Sequence, residues 1–155
     1  MKRRTVLIPV DFSAPSRRAM AWAFDYAQQA ECDVHMIHVL DQPSGWSDVT
    51  STNTDAIDEE LQEIRNATQQ ELAAMAPAEA DRKRIGTITE HVCFGKAANE
   101  ILRVAASIDA DLIIMGTHGH TGIESLIIGS VATKVVRQAQ CTVICVKPKS
   151  ASPET

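Results

Sequence analysis

No apolar run in this 155-residue chain is long enough to cross a membrane. The first four residues carry positive charge, as the start of a signal peptide does, but the apolar run behind them covers only residues 6–10 and ends at Asp11. That run is too short for the core of a signal peptide. We therefore expect a cytoplasmic protein with no membrane insertion.

The chain also lacks an excess of positive charge. Lys and Arg together number 15 against 20 Asp and Glu, so the formal net charge is −5. No basic stripe interrupts this acidic balance, whereas a nucleic-acid-binding domain usually concentrates Lys and Arg on one face. We expect no nucleic-acid partner.

The four cysteines lack the spacing of a metal site or of a disulfide. No Cys-x-x-Cys pair occurs, and His118 and His120 have no third ligand close to them in the sequence, so we predict no zinc bound by protein ligands. Cys141 and Cys145 are four apart in a predicted strand, about 13 Å at about 3.3 Å per residue, which is too far to bridge. We predict that the cysteines are small buried apolar residues in a reducing cytoplasm.

Two common phosphate-binding loops are missing as well. The only Gly-Lys pair is Gly95-Lys96, and it has Glu90 where a Walker loop needs its first glycine and Ala97 where it needs a hydroxyl. The turn after the first predicted strand, residues 11–15, contains no glycine, which excludes a dinucleotide fingerprint there.

What the chain does contain is a different glycine loop in its last third. Gly116 closes the apolar run 111–115, Gly119 follows, and Gly129 precedes a helical pattern that opens at Ser130. Glycines let backbone N–H groups approach a ligand, and a helix N-terminus offers unpaired donors and the positive end of a dipole. The pattern favours an anion site, and phosphate is the anion that such a site typically binds. The alternative is that the glycines only turn the chain.

Strand and helix signals alternate along the sequence. Strands are predicted at 4–10, 33–40, 85–94, 111–115 and 141–147, with a loop at 41–54. Helices are predicted after an N-cap at Ser13, before Pro77, over 97–108 and from Ser130. Their predicted inward positions are Met20, Ala23, Phe24 and Ala27; Ile57, Leu61, Ile64, Leu72 and Met75; Ile101, Ala105 and Ile108; and Val131, Val135, Val136 and Ala139.

Five strands separated by four helices predict a single doubly wound α/β domain. Right-handed crossovers then give a five-stranded parallel sheet with helices on both faces. We expect the strand order 3-2-1-4-5, with the domain at residues 1–148 and a polar C-terminal tail at 149–155.

In such a sheet, ligands bind beyond the carboxyl ends of the strands where the strand order reverses. The expected reversal lies between strands one and four, so Pro9, Val10 and Asp11 should face Gly116. Asp11 could accept hydrogen bonds from a ribose hydroxyl, and the region around Val39 could offer an apolar slot and backbone polar groups to a base. The alternative for Asp11 is a carboxylate that caps the turn.

The glycine loop resembles that of the universal stress protein family in its ATP-binding subclass. The likeness rests on residues 109–119, on the motif Gly-x2-Gly-x9-Gly-Ser from Gly116 to Ser130, and on the strand that begins at Cys141. Residues 6–13 and 37–40 resemble the family too, so the likeness spans nearly the whole chain. Subclasses that do not bind ATP generally lack this glycine pattern.

The resemblance implies an adenine-nucleotide site, with ATP, or AMP or ADP, as ligand and a Mg²⁺ ion bridging phosphate oxygens. It implies base and ribose contacts from Pro9, Val10, Asp11 and Val39, flanked by Met115 and Gly116, and phosphate contacts from Gly119, His120, Gly129, Ser130, Val131 and Ala132. Two positions depart from the family pattern: His120 stands where many relatives carry Arg, and Thr142 where Pro is common.

Hydrolysis of a bound nucleotide needs an oriented water and a cation for the transition state. Only His118, His120 and Lys134 are candidates, and each has a plainer interpretation as an exposed loop or helix residue. We assign no catalytic residue and predict a nucleotide-responsive stress protein that changes its protein partners when ATP binds. A slow ATPase or phosphotransferase, and an anion site without a base, remain alternatives.

The last predicted strand, 141–147, lies at the edge of the sheet in the expected order. Five of the six residues 141–146 are apolar and none is proline, so the exposed edge would be an aggregation hazard. Antiparallel pairing with a second copy across a two-fold axis would cover it, as the resemblance also implies. We expect a homodimer that can pair further into a tetramer; the alternative is that residues 148–155 fold over the edge.

Overall fold

The computed structural model describes residues 2–42, 54–118 and 128–148, without the side chains of 54–56. A 3-10 turn, Glu79–Asp81, precedes the third strand. The strands and helices follow one another as β1 (Thr5–Pro9), α1 (Ala14–Ala30), β2 (Asp33–Leu40), α2 (Thr54–Ala74), β3 (Ile88–Phe94), α3 (Ala97–Ser107), β4 (Leu112–Gly116), α4 (Ser130–Gln138) and β5 (Thr142–Val146).

The five strands form one parallel sheet in the order β3-β2-β1-β4-β5, which confirms the predicted fold class and strand order. β1 is central: Val6 lies opposite Val34 of β2 and Leu112 of β4. A strand covered on both faces needs apolar side chains on both, and Val6, Leu7 and Ile8 are fully buried.

Alternate residues of β1 enter two separate cores, one on each face of the sheet. Val6 and Ile8 pack with Phe24 of α1 and Leu72 of α2. Leu7, between them, packs on the opposite face with residues of α3 and α4. The side-chain period of two in a strand therefore assigns the four helices to the two faces.

α1 begins as predicted. The Ser13 hydroxyl accepts a hydrogen bond from the Ser16 N–H, Pro15 lies in the first turn, and the helix ends at Glu31 in a left-handed conformation (φ 56°). The four side chains predicted to face inward from α1 are all buried. The carboxyl end of β1 is thereby connected to α1 through a tight turn, residues 10–13.

Two inward predictions are wrong. Ile64 of α2 is 41% exposed and Val136 of α4 is 49% exposed. Val135, one residue earlier, takes the core position in α4, and successive helical residues point about 100° apart. α2 lies over the strands at one side of the sheet, so its apolar stripe is only partly covered: Leu72 is fully buried, whereas Ile57 and Leu61 are half-buried.

The third strand begins at Ile88 rather than at residue 85, because Ile85 and Gly86 belong to a turn that bonds to Arg82 and Cys32. The prediction that all four cysteines are buried is also wrong: only Cys32 is, and the others are half-buried, although all four are free thiols. Among the described helices, none is long and apolar enough to span a membrane.

Candidate functional site

A cavity of about 290 Å³ opens at the carboxyl ends of β1, β2 and β4, where the strand order reverses. Its volume is just below the range of about 300–1,000 Å³ that is typical of ligand pockets. Ten of the predicted site residues line it: Pro9, Val10, Asp11, Val39, Met115, Gly116, Gly129, Ser130, Val131 and Ala132. The other two, Gly119 and His120, lie outside the described residues. The role of these residues in binding stays a prediction.

Sequence reasoning missed several residues that also line the cavity: Ser16, Ile37, His38, Ala97, Ile101 and Thr117. Ser16 and Ala97 lie in the first turns of α1 and α3, both of which begin at this end of the sheet. The signal that could have found them is topological: in a parallel sheet every helix that follows a strand starts on the ligand-binding side. His118, weighed only as a hydrolytic residue, lines the cavity too.

The first turn of α4 forms one wall of the cavity. Its N-cap is Gly129, and no side chain caps it. The first intrahelical bond runs from the Thr133 N–H to the Gly129 carbonyl at 2.9 Å. Within the described part of the chain, the N–H groups of Ser130, Val131 and Ala132 have no backbone acceptor. Three donors without a backbone acceptor among the described residues, at the positive end of a helix dipole, suit an anion.

Gly129 contributes space rather than a donor. Its N–H already donates to the Thr117 carbonyl at 2.7 Å. A Cβ at this position would lie 3.1 Å from the same carbonyl oxygen, which is tighter than ordinary contact. The glycine therefore lets α4 start close to the end of β4, and phosphate contacts must come from the next residues of the helix.

Asp11 takes part in the turn between β1 and α1. One of its carboxylate oxygens accepts hydrogen bonds from the Ser13 N–H, at 3.0 Å, and from the Ser13 hydroxyl, while its own N–H donates to the Ser16 hydroxyl at 3.0 Å. The turn-capping interpretation of Asp11 is thus seen directly. Because Asp11 also lines the cavity, a contact with ribose remains a prediction.

Both backbone groups of Val10 are engaged with β2. Its N–H donates to the Ile37 carbonyl at 2.8 Å, and its carbonyl lies 2.7 Å from Nδ1 of His38. The His38 ring packs against Phe12, with 4.6 Å between ring centroids. Phe12 adopts a left-handed conformation (φ 63°), which a bulky residue rarely does. At the carboxyl end of β1, the chain is therefore held by the His38 and Phe12 side chains as well as by the backbone hydrogen bond to β2.

Lys134 does not line the cavity. Its ammonium donates to the Asn99 side-chain oxygen of α3 at 2.5 Å, which supports the plainer interpretation of Lys134 as a helix-surface residue. Outside the site, His35 and His91 link β2 to the edge strand β3, with Nδ1 of His35 and Nε2 of His91 2.8 Å apart. Burial lowers the pKa of both imidazoles, and the charges of His35 and Arg103 lower the pKa of His91 further.

Comparison with known proteins agrees with this architecture. The model of the universal stress protein family matches residues 2–147. The universal stress protein MJ0531 of Methanocaldococcus jannaschii is 33% identical over 144 residues, which cover 93% of this chain and 82% of that protein. The sequence similarity therefore extends over almost the whole domain.

Solved structures share the fold. The protein MJ0577 superposes with a TM-score of 0.75 at 22% identity, covering 97% of this chain and all of that one. A universal stress protein in complex with cAMP gives 0.64 at 21% identity, covering 92% and 96%. One from Archaeoglobus fulgidus in complex with dAMP gives 0.59 at 22% identity, covering 94% and 98%. The chain belongs to the universal stress protein family.

Proposed function

We propose that this protein binds an adenine nucleotide in the cavity, ATP with Mg²⁺ or its products ADP and AMP, and acts as a nucleotide-responsive regulatory module in the cytoplasm. The observation that carries the proposal is the cavity itself. It unites the carboxyl ends of β1, β2 and β4 with the uncapped first turn of α4. One side is apolar enough for a base and the other is rich in backbone donors.

The phosphates belong at α4. The N–H groups of Ser130, Val131 and Ala132 are the donors available there, and the first turn of α4 contains no acidic residue that would repel an anion. Hydrogen bonds from N–H groups to a charged oxygen are about twice as strong as neutral ones. Gly119 and His120 belong to this part of the proposal, which rests for them on the sequence motif alone.

The base belongs between β2 and β4. Ile37, Ile101 and Met115 supply apolar surface, and Val39 supplies polar groups. Ile37 hydrogen-bonds toward β1, and alternate residues of a strand hydrogen-bond to the same neighbouring strand. The Val39 N–H and carbonyl therefore point to the β1 side as well, beyond the last residue of β1. A donor beside an acceptor matches N1 and the 6-amino group of adenine.

Two relatives of the same fold support the class of ligand. One was solved with cAMP and another with dAMP, and both ligands are adenine nucleotides. Binding is favoured over the alternative of slow hydrolysis, because Lys134 bonds to Asn99 rather than lining the cavity. Of the three candidates for hydrolysis, His118 is the one that lines the described part of the cavity.

The proposal includes assembly. β5 is an edge strand, and its last four residues, 143–146, are half-buried in the single chain. Pairing of β5 with a second copy would satisfy its outer N–H and carbonyl groups. We propose a homodimer through residues 141–147 that can pair further into a tetramer, with a protein partner that senses the bound nucleotide.

Titration calorimetry with Mg²⁺ and ATP, GTP or tripolyphosphate tests the proposed ligand. We expect ATP to bind more tightly than GTP and far more tightly than tripolyphosphate. Ala97→Phe should abolish ATP binding by filling the cavity, whereas Ala106→Phe on the exposed side of α3 should not. Equal affinity for ATP and GTP would indicate an anion site without a base, and no binding of ATP would contradict the proposal.

A further inference from the structure

His38 lies beside the proposed base-binding groups. Its side chain makes a hydrogen bond that a backbone N–H of the same strand would ordinarily make. Its Nδ1 is 2.7 Å from the Val10 carbonyl. A carbonyl can only accept, so Nδ1 carries the hydrogen and donates it. Val10 is only 3% exposed, and a buried carbonyl needs a donor because an unpaired one is costly.

The ordinary donor at this point would be Val39. Val10 donates its N–H to the Ile37 carbonyl. In a regular parallel ladder, the carbonyl of Val10 would then accept a hydrogen bond from the residue two positions after Ile37. That bond would join the Val39 N–H to the Val10 carbonyl. Among the described residues it is not formed. The His38 imidazole takes its place.

We infer that His38 is a positioning residue for base recognition: it satisfies the Val10 carbonyl and thereby keeps the Val39 N–H available to a ligand. This inference rests on the proposed function only for the identity of the ligand. Phe12 holds the imidazole from one side, which restricts its rotation. Without His38, the Val10 carbonyl would accept a hydrogen bond from the Val39 N–H, and that N–H would no longer be available to the base.

Amide hydrogen exchange of the nucleotide-free protein, followed by NMR, tests the inference independently of ligand binding. The Val39 amide should exchange at the rate of an unbonded N–H in the parent chain. In His38→Leu it should slow about tenfold or more, since it becomes a ladder bond. In His38→Asn it should stay fast, because the Asn amide nitrogen can replace Nδ1. Slow exchange of Val39 in the parent chain would overturn the inference even if His38→Leu does not fold.

A second measurement uses Mg²⁺ with ATP or ITP. His38→Leu should weaken ATP binding by the value of one hydrogen bond, about 2- to 12-fold. ITP binding should be unchanged, because N1 of hypoxanthine carries a hydrogen and, placed as N1 of adenine is, cannot accept from the Val39 N–H. His38→Asn should bind ATP like the parent chain. Equal losses for ATP and ITP in His38→Leu would mean a merely structural role. Absence of ATP binding in the parent chain would contradict the proposed function, while the exchange experiment would still decide the role of His38.

Discussion

Replacement of Ser130 by proline removes one backbone N–H from the proposed phosphate site without removing the helix. Ser130 is the first residue of α4, a position where proline is favoured because the N–H has no partner within the helix. The preceding residue, Gly129, has φ −61° and ψ 160°, a conformation that a residue before proline readily adopts. Ser130→Pro is therefore compatible with the fold.

The expected loss follows from the charge of the acceptor. A hydrogen bond to a charged group contributes about 1.5–3 kcal/mol, so Ser130→Pro should weaken ATP binding by about 10- to 150-fold. The matched control is Ser130→Ala, which removes the hydroxyl but keeps the N–H and should weaken binding much less. Thermal stability of Ser130→Pro should be unchanged or slightly higher, because proline restricts the unfolded chain.

Titration calorimetry with ATP and with adenosine separates the phosphate contribution from the base contribution. Adenosine has no phosphate, so both Ser130 variants should bind it as the parent chain does. If Ser130→Pro bound ATP as tightly as Ser130→Ala, the backbone of α4 would not hold the phosphates. If adenosine lost as much affinity as ATP, the proline would have deformed the cavity instead.

Three further predictions concern stability and assembly. Because the pKa values of His35 and His91 are lowered in the fold, the unfolded chain binds more protons than the folded one. The stability present above about pH 6.5 should therefore fall as the pH drops below that value. The melting temperature of His91→Gln should depend less on pH than that of the parent chain, and an equal dependence would contradict this. Leu72→Ala should cost about 2–5 kcal/mol of unfolding free energy, whereas Ile64→Ala in the same helix should stay within about 0.5 kcal/mol, as urea denaturation can show; similar costs would refute the assigned burial. Val143→Pro should dissociate the proposed dimer by removing a donor from β5, and light scattering that finds a monomeric parent chain, or an unchanged dimer in the variant, would rule out pairing through this edge.

The sequence determined the order of the elements and the topology of the sheet, because these depend on local patterns and general rules of chain connection. Runs of β-branched residues alternate with helical periods, and right-handed crossovers then leave few possible arrangements. The same topology and the glycine spacing from Gly116 to Gly129 predicted where the cavity lies, since the carboxyl ends of neighbouring parallel strands meet at one edge. Met115, Val131 and Ala132 were added to the predicted site by the family resemblance alone.

Only the tertiary structure decided which predicted groups are still available to a ligand. The sequence predicted that both Val135 and Val136 face inward, but only packing shows that Val135 enters the core and Val136 does not. The Gly129 N–H is occupied by Thr117, and the Val10 carbonyl by His38. Such pairings join residues far apart in the chain, and their formation depends on distances of a few tenths of an ångström that no periodicity in the sequence records.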